Sequence, residues 1–291
     1  MMTRGLFAGL AISALALAAA CGGGGDKGGD AKAKVANDTS FAAGTTMAKL
    51  HDAGKITIGT KFDEPGIAFK DPASGDFTGF DVEIARAVAG KLGIDASKIE
   101  FKETISKNRE TFIQNGTVDF VIGSYSITDD RKQLVDFAGP YYVTGQQLLV
   151  AKDDDSIKGP EDLKGKKVCS VAGSTSIVTV EEKYGANPIP FGTYTECVEQ
   201  LTNGSVDAVT TDGAVLLGYA AKQPDKLKVV GDAFSVENYG IGLKKGDTAF
   251  RDFVNDALQS TFDDGTWKSA FANTLGKSGA AAPELPKIDR Y

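Results

Sequence analysis

Ile113-Gln114-Asn115-Gly116-Thr117-Val118-Asp119 and Leu201-Thr202-Asn203-Gly204-Ser205-Val206-Asp207 are two copies of one local instruction. In each a helix ends, an Asn-Gly pair supplies a left-handed cap, and a strand opens with Val-Asp. A single copy says only that a helix stops and a strand starts. Two copies about ninety residues apart predict two lobes of similar build. Upstream of the first copy, 47–53 reads as a short helix and 55–60 as a strand. Apolar residues at 82, 84, 85, 88 and 89 form a helical stripe expected to end near Gly90 and Gly93. A strand at 99–101, a helix at 109–115 and a strand at 118–122 follow. Around the second copy lie a turn into a strand at Val168, a helix over about 177–183, a strand near Pro188, a helix at 195–202 and a strand at 206–210. Strand–helix alternation at such short intervals indicates parallel pairing and an α/β architecture. Residues 247–275 read as helical and hold Trp267, the only Trp. Residues 278–291, with Pro283 and Pro286, read as an extended or frayed C-terminal tail.

The 291 residues carry 32 Lys+Arg against 39 Asp+Glu, one His and three Cys. That length suits one large or two ordinary domains. A net charge of −7 argues against a nucleic-acid partner, which demands a basic surface. The lone His51 removes His-rich metal sites and a Ser-His-Asp or Cys-His catalytic system, so no metal and no cofactor are expected.

Residues 1–20 combine Arg4, an apolar core from Leu6 and a run of small residues, the pattern of a secretory signal peptide. Ala18-Ala19-Ala20-Cys21 resembles a bacterial lipobox, with Ala18 where Leu is commoner; Cys21 is the expected lipidation site. Residues 21–40 are rich in Gly, Ala, Asp and Lys and read as a flexible, lipid-anchored tether. Loss of residues 1–20 removes Arg4 and no acid, moving the net charge from −7 to −8. Such a chain is expected outside the cytoplasm, anchored to the cell membrane. There Cys169 and Cys197 remain as an even pair in an oxidising compartment and are expected to form a disulfide, worth roughly 3 kcal/mol in the loop-entropy model. Two buried free thiols are the alternative.

An ordered set of motifs runs through the chain. It comprises Gly79-Phe80-Asp81-Val82-Glu83-Ile84-Ala85, Asn108-Arg109, Asn115-Gly116-Thr117-Val118-Asp119, Ser126-Ile127-Thr128-Asp129-Asp130-Arg131 and Phe137-Ala138-Gly139-Pro140-Tyr141-Tyr142. Asp162-Leu163-Lys164-Gly165-Lys166, Gly173-Ser174-Thr175-Ser176 and Val206-Asp207-Ala208-Val209-Thr210-Thr211-Asp212 continue it. Over roughly 45–275 the chain resembles family 3 extracellular solute-binding proteins, the polar amino-acid receptors of ABC importers, and within them the glutamate or glutamate/aspartate receptors. The resemblance implies a two-lobed, type II periplasmic-binding-protein-like α/β fold, each lobe a mixed sheet flanked by helices. It places lobe 1 at 41–146 plus 234–277, lobe 2 at 147–233, and a hinge near Gln147 and Ala233. Monomeric action with membrane permease subunits is expected; no Gly-x-x-x-x-Gly-Lys-Ser/Thr loop is present for ATP.

Arg131 follows a strand and a Thr-Asp-Asp turn, a place where α/β domains bind ligands, and its planar fork suits a carboxylate. By itself it equally suits a surface pair with Asp130, and Asp212 equally suits a helix cap. The resemblance implies that Arg131 holds the ligand α-carboxylate and Asp212 the α-ammonium. Ser106, Arg109, Ser124 and Ser126 resemble the pocket of acidic amino-acid receptors, and Lys61 stands where such relatives carry a basic residue. A neutral amide there would leave a buried charge unpaired. Solvent-facing positions are the alternatives for Arg109 and Lys61. Where Gram-negative relatives place a His in lobe 2, this chain has Tyr194. Gly173, Ser174 and Thr175 form a small-residue loop entering a helix, expected to offer N–H groups to a carboxylate, with a Thr175 hydroxyl contact. These readings point to L-glutamate, with L-aspartate as a second candidate, and to a binding protein without catalysis. Rival readings are a receptor for glutamine or another polar amino acid, a sensor presenting glutamate to a signalling partner, and a cyclohexadienyl-dehydratase-like enzyme. The last needs a general acid, for which Glu64 or Glu103 would have to serve.

Overall fold

The computed structural model describes residues 35–36 and 39–291. Residues 1–20, read as a signal peptide, Cys21 and most of the segment expected to be a tether lie outside the described residues. Among the described residues no helix is long and apolar enough to cross a membrane.

The chain begins with α1 (Thr46–Ala53), β1 (Ile56–Thr60), β2 (Asp63–Glu64), β3 (Ala68–Lys70), β4 (Phe77–Thr78) and α2 (Phe80–Lys91). It continues through β5 (Ile99–Glu103), α3 (Arg109–Gln114), β6 (Phe120–Val121), α4 (Asp129–Leu134) and β7 (Asp136–Thr144). It then crosses to a second lobe of β8 (Gln146–Ala151), β9 (Lys167–Val171), α5 (Thr175–Tyr184), β10 (Asn187–Phe191) and α6 (Tyr194–Thr202). That lobe closes with β11 (Ala208–Asp212), α7 (Gly213–Lys222) and β12 (Leu227–Val230). The chain returns through β13 (Glu237–Leu243), α8 (Thr248–Asp263) and α9 (Thr266–Asn273).

Both main sheets are mixed and share one plan. The first has the order β5-β1-β6-β13-β7 and the second β10-β9-β11-β8-β12. In the first, β1 runs parallel to β5 and β6, while β13 is antiparallel to β6 and β7. In the second, β9 runs parallel to β10 and β11, while β8 is antiparallel to β11 and β12. A small antiparallel sheet, β2-β3-β4, stands beside the first; the sequence patterns did not anticipate it.

The repeated Asn-Gly-x-Val-Asp segments perform the same work in each lobe. Gly116 and Gly204 take positive φ (72° and 77°), and the Asn115 and Asn203 side chains accept from the N–H two residues on. The closing Asp of each copy then clasps the neighbouring strand: Asp119 accepts from Thr57 N–H at 2.8 Å, and Asp207 from Lys167 N–H at 2.7 Å. These side-chain acceptors fix where each parallel strand begins.

Helix α2 ends at Lys91, between the two glycines expected to close it, with Gly90 buried inside its last turn and Gly93 taking the left-handed bend at φ 77°. Its buried face packs Phe80 against Tyr142, Trp267 and Phe271, and the Trp267 indole N–H donates to the Tyr141 carbonyl at 2.7 Å. In the second lobe Cys169 of β9 and Cys197 of α6 form a disulfide, as their pairing in an oxidising compartment predicted. The tail is extended but docked. Ile288 is buried, the Tyr291 hydroxyl accepts from Phe137 N–H at 2.9 Å, and the Tyr291 ring lies under Arg251.

Two segments connect the lobes, and they touch. Gln146 N–H donates to Ser235 Oγ and Phe234 N–H to the Gln146 carbonyl, both at 3.0 Å. A Cβ on Gly145 would fall 2.4 Å from the Ser235 carbonyl oxygen, so only glycine allows the two connecting segments this approach.

Candidate ligand-binding cleft

Strand ends and helix starts from both lobes meet at one narrow, largely polar cavity. Its wall includes Ser106, Arg109, Ser124, Ser126 and Arg131 from lobe 1 and Ser174, Thr175, Tyr194 and Asp212 from lobe 2. Ser176 and Thr211, which sequence reading passed over, complete it.

Arg109 opens α3 after a tight turn over Ser106–Asn108 and is 2% exposed. A solvent-facing position is excluded. Its guanidinium lies over the Tyr125 ring at 4.1 Å. It donates over 3.2–3.5 Å to the carbonyls of Ser106, Gly123, Ser124 and Gly173. Among the described residues no carboxylate forms an ion pair with it. Arg131, in the first turn of α4, donates to the Ser126 carbonyl at 2.7 Å and to the Gly173 carbonyl at 3.0 Å. Its Nε is 3.6 Å from a Glu110 carboxylate oxygen, and it makes no ion pair with Asp130. Burial, reinforced by Arg109, lowers its pKa to about 10, which leaves it charged at neutral pH.

Asp212 ends β11 and does not cap α7 with its side chain. Oδ2 accepts from the Tyr239 hydroxyl at 2.5 Å, whereas Oδ1 is buried with no partner. Burial, with Glu237 adding repulsion, pushes this carboxyl up to about 7. Tyr194 opens α6; its hydroxyl accepts from Thr211 Oγ1 at 2.6 Å and its N–H donates to Asp63 Oδ2 at 2.7 Å. Ser174 caps α5 and shares a hydrogen bond with Ser170, while the Thr175 hydroxyl donates to Glu237 of β13 at 3.2 Å. Ser126 is buried and bridges to Tyr239.

Three placements differ from the sequence reading. Lys61 is buried but off the cavity wall: its ammonium donates to Ser106 Oγ at 2.9 Å, stands 3.5 Å from Glu64, and lies over the Tyr194 ring. The Gly173 loop also presents its carbonyl to the two guanidiniums, a contact outside the sequence reading. Glu64 proves to be a fully buried residue behind the wall, accepting from the Ser124 hydroxyl at 2.9 Å, whereas Glu103 is exposed. Ser124 itself has φ +44°, the only positive value at a described non-glycine residue, and its N–H donates to buried Asp81 at 2.8 Å. Strain of this kind gathers at functional sites. The sequence signal for Asp81 was an acid on an otherwise apolar helix face.

The model of the bacterial extracellular solute-binding proteins, family 3, matches residues 56–277. The chain belongs to this family. Its two-lobed α/β build is that of the family's solved relatives. An ancestral arginine-binding protein bound to glutamine superposes with a TM-score of 0.72 at 39% identity, over 77% of this chain and 98% of that one. The glutamate-binding protein GluB of Corynebacterium efficiens is 40% identical over 242 residues, covering 79% of this chain and 82% of GluB. The ABC transporter glutamine-binding protein GlnH of Bacillus subtilis is 37% identical over 273 residues, covering 93% and 96%. These relatives are named as binding proteins rather than enzymes.

Proposed function

We propose that this family 3 protein is the lipid-anchored, extracytoplasmic amino-acid receptor of an ABC importer, and that its ligand is L-glutamate. The reading rests on the charges of the cavity wall. Two guanidiniums, Arg109 and Arg131, and one carboxylate, Asp212, face one cavity. Glutamate is the complement, with two carboxylates and one ammonium. Arg131 takes the α-carboxylate, the partnerless Oδ1 of Asp212 takes the α-ammonium, and Arg109 with the Ser106 hydroxyl takes the side-chain carboxylate. Each buried group that lacks a partner in the protein gains one from the ligand, which offsets the desolvation of both. Because Arg109 and Arg131 belong to one lobe and Asp212 to the other, closure about the two connecting segments completes the site, and the closed form is what the permease meets.

Calorimetry of the protein against the twenty amino acids tests this. The expected result is glutamate at micromolar Kd, about −8 kcal/mol, with aspartate weaker. Binding of a basic amino acid without glutamate would overturn the pocket assignment. Glutamine is the second reading, favoured by one observation: the Ser124 hydroxyl spends its proton on Glu64 and so faces the cavity as an acceptor.

A further inference from the structure

Two serines at the Arg109 end of the cleft are held in opposite senses. Ser106 Oγ accepts from the Lys61 ammonium at 2.9 Å, so its own proton is free for a ligand oxygen. Ser124 Oγ donates to Glu64 Oε1 at 2.9 Å, so only its lone pairs face the cavity. A carboxamide fits such a pair, with its oxygen on Ser106 and its N–H on Ser124. A carboxylate finds an acceptor opposed to an acceptor at Ser124.

We infer that Glu64 is a specificity-determining residue: ionised, it turns the Ser124 hydroxyl toward a ligand carboxamide, and neutral, it releases the Ser124 proton to a ligand carboxylate. This rests on the amino-acid receptor reading above. Glu64 is 0% exposed, and its Oε2 has no hydrogen-bond partner. Its hydrogen-bond partner is Ser124, while the nearby Lys61 ammonium has only protons to give. A proton on Glu64 Oε1 is therefore donated to Ser124 Oγ, and the hydroxyl proton swings into the cavity. Burial pushes the Glu64 carboxyl up to about 7 against the opposing pull of Lys61, so both forms are reached near neutral pH.

The surroundings of Glu64 are themselves charged. Lys61 and Asp63 flank it on its own segment, and Arg109 faces it from α3. Asp81 of α2 and Tyr141 of β7 feel its charge from lobe 1, as does Tyr239 of β13. From lobe 2 it is felt by Tyr194, Asp212 and Tyr219. Asp212 titrates in the same range, but its partner is the α-ammonium that glutamate and glutamine share. The ratio of their affinities therefore cancels Asp212; Asp81, which also titrates near 7 and accepts from Ser124 N–H, stays in the ratio, and E64Q separates its part from that of Glu64.

The test is calorimetry of wild type, E64Q and S124A with L-glutamate and L-glutamine from pH 5.5 to 8.0, where neither ligand titrates. In wild type the preference for glutamate over glutamine should fall about tenfold as pH rises across this range, the order expected when one proton is linked to the choice. In E64Q, which has no carboxyl to titrate, and in S124A, which has no hydroxyl to turn, the ratio should stay flat. A flat ratio in wild type, a slope retained in E64Q, or no glutamine binding at pH 8.0 would overturn the inference. Silence toward both ligands at every pH would instead overturn the receptor reading, and this inference with it.

Discussion

The Gly173 carbonyl of lobe 2 accepts from the Arg131 guanidinium of lobe 1 at 3.0 Å, and the Arg109 fork converges on the same oxygen at 3.4 Å. The approach depends on glycine twice over. Its φ is +81°, and a Cβ would stand 2.9 Å from Lys107 Cα across the cleft. Gly173→Ala therefore opposes the closed arrangement by backbone collision, while its left-handed cost within lobe 2 is only about 1 kcal/mol. The expected outcome is a loss of ligand affinity of at least about tenfold, or 1.4 kcal/mol. The thermal midpoint should move by a few degrees at most. Calorimetry gives the first quantity and small-angle scattering shows the more open lobes; unchanged affinity would mean that this contact is dispensable for closure.

Arg109 predicts a trade between stability and binding. A guanidinium that is 2% exposed with only long carbonyl contacts is costly to fold. Arg109→Met keeps the stem against Tyr125 and removes the charge. The ligand-free protein should become more stable, by about 1 kcal/mol or more. Glutamate affinity should fall by about 100-fold, the scale of losing one partner of a buried charge pair, and glutamine affinity by less. Denaturant unfolding paired with calorimetry on both ligands would show it. A destabilised variant with intact glutamate binding would make Arg109 a structural residue.

What the sequence made legible was local. Asn115 and Asn203 fold back on the next two residues, and Asp119 and Asp207 reach one strand away, so the repeated string sufficed to find two lobes. The cavity wall was legible because its residues sit at strand ends and helix starts, which the motifs mark. Lys61 and Glu64 were not. They lie between the end of β1 and the end of the two-residue strand β2, too short a stretch for any period to aim a side chain, and lobe 2 comes close from the other side: a Cβ on Gly218 of α7 would be 1.9 Å from the Pro65 carbonyl oxygen. The Gly173 carbonyl contact was not legible for a related reason. A positive φ turns the peptide plane, and nothing in a Gly-Ser-Thr string tells which edge will face the cleft.

Three buried carboxyls set the pH dependence of stability. Asp81 and Asp212 rise from 3.8, and Glu64 from 4.5, each to about 7, with burial the leading cause. All three hold a proton more tightly folded than unfolded. Their contribution is therefore complete below the unfolded values and is lost as pH climbs through about 7. The ligand-free thermal midpoint should fall steadily from pH 4.5 to 7.5. Ligand-induced stabilisation should grow over the same interval, because the ammonium rewards the ionised form of Asp212. Scanning calorimetry with and without glutamine, whose carboxamide is not opposed by ionised Glu64, would show both trends. A midpoint that rises through this window would mean that the three groups are ionised at little cost.

The Cys169–Cys197 disulfide ties β9 to α6 across a sequence separation of 28, and both sulfur-bearing residues are fully buried. Closing a loop of that size stabilises by about 3 kcal/mol through the unfolded chain. The helix it anchors begins with Tyr194 on the cavity wall, which raises the question whether the bond positions the site. Tyr194 has other holds, however: its hydroxyl is bound to Thr211 and its N–H to Asp63. The double variant Cys169→Ala/Cys197→Ala should accordingly lose about 3 kcal/mol in denaturant unfolding. Its glutamate affinity should stay within about threefold of wild type, less than one hydrogen bond's worth. This is the opposite signature to Gly173→Ala, which spares stability and loses binding. A double variant that folds with near-normal stability but binds poorly would instead make the disulfide part of the site's geometry.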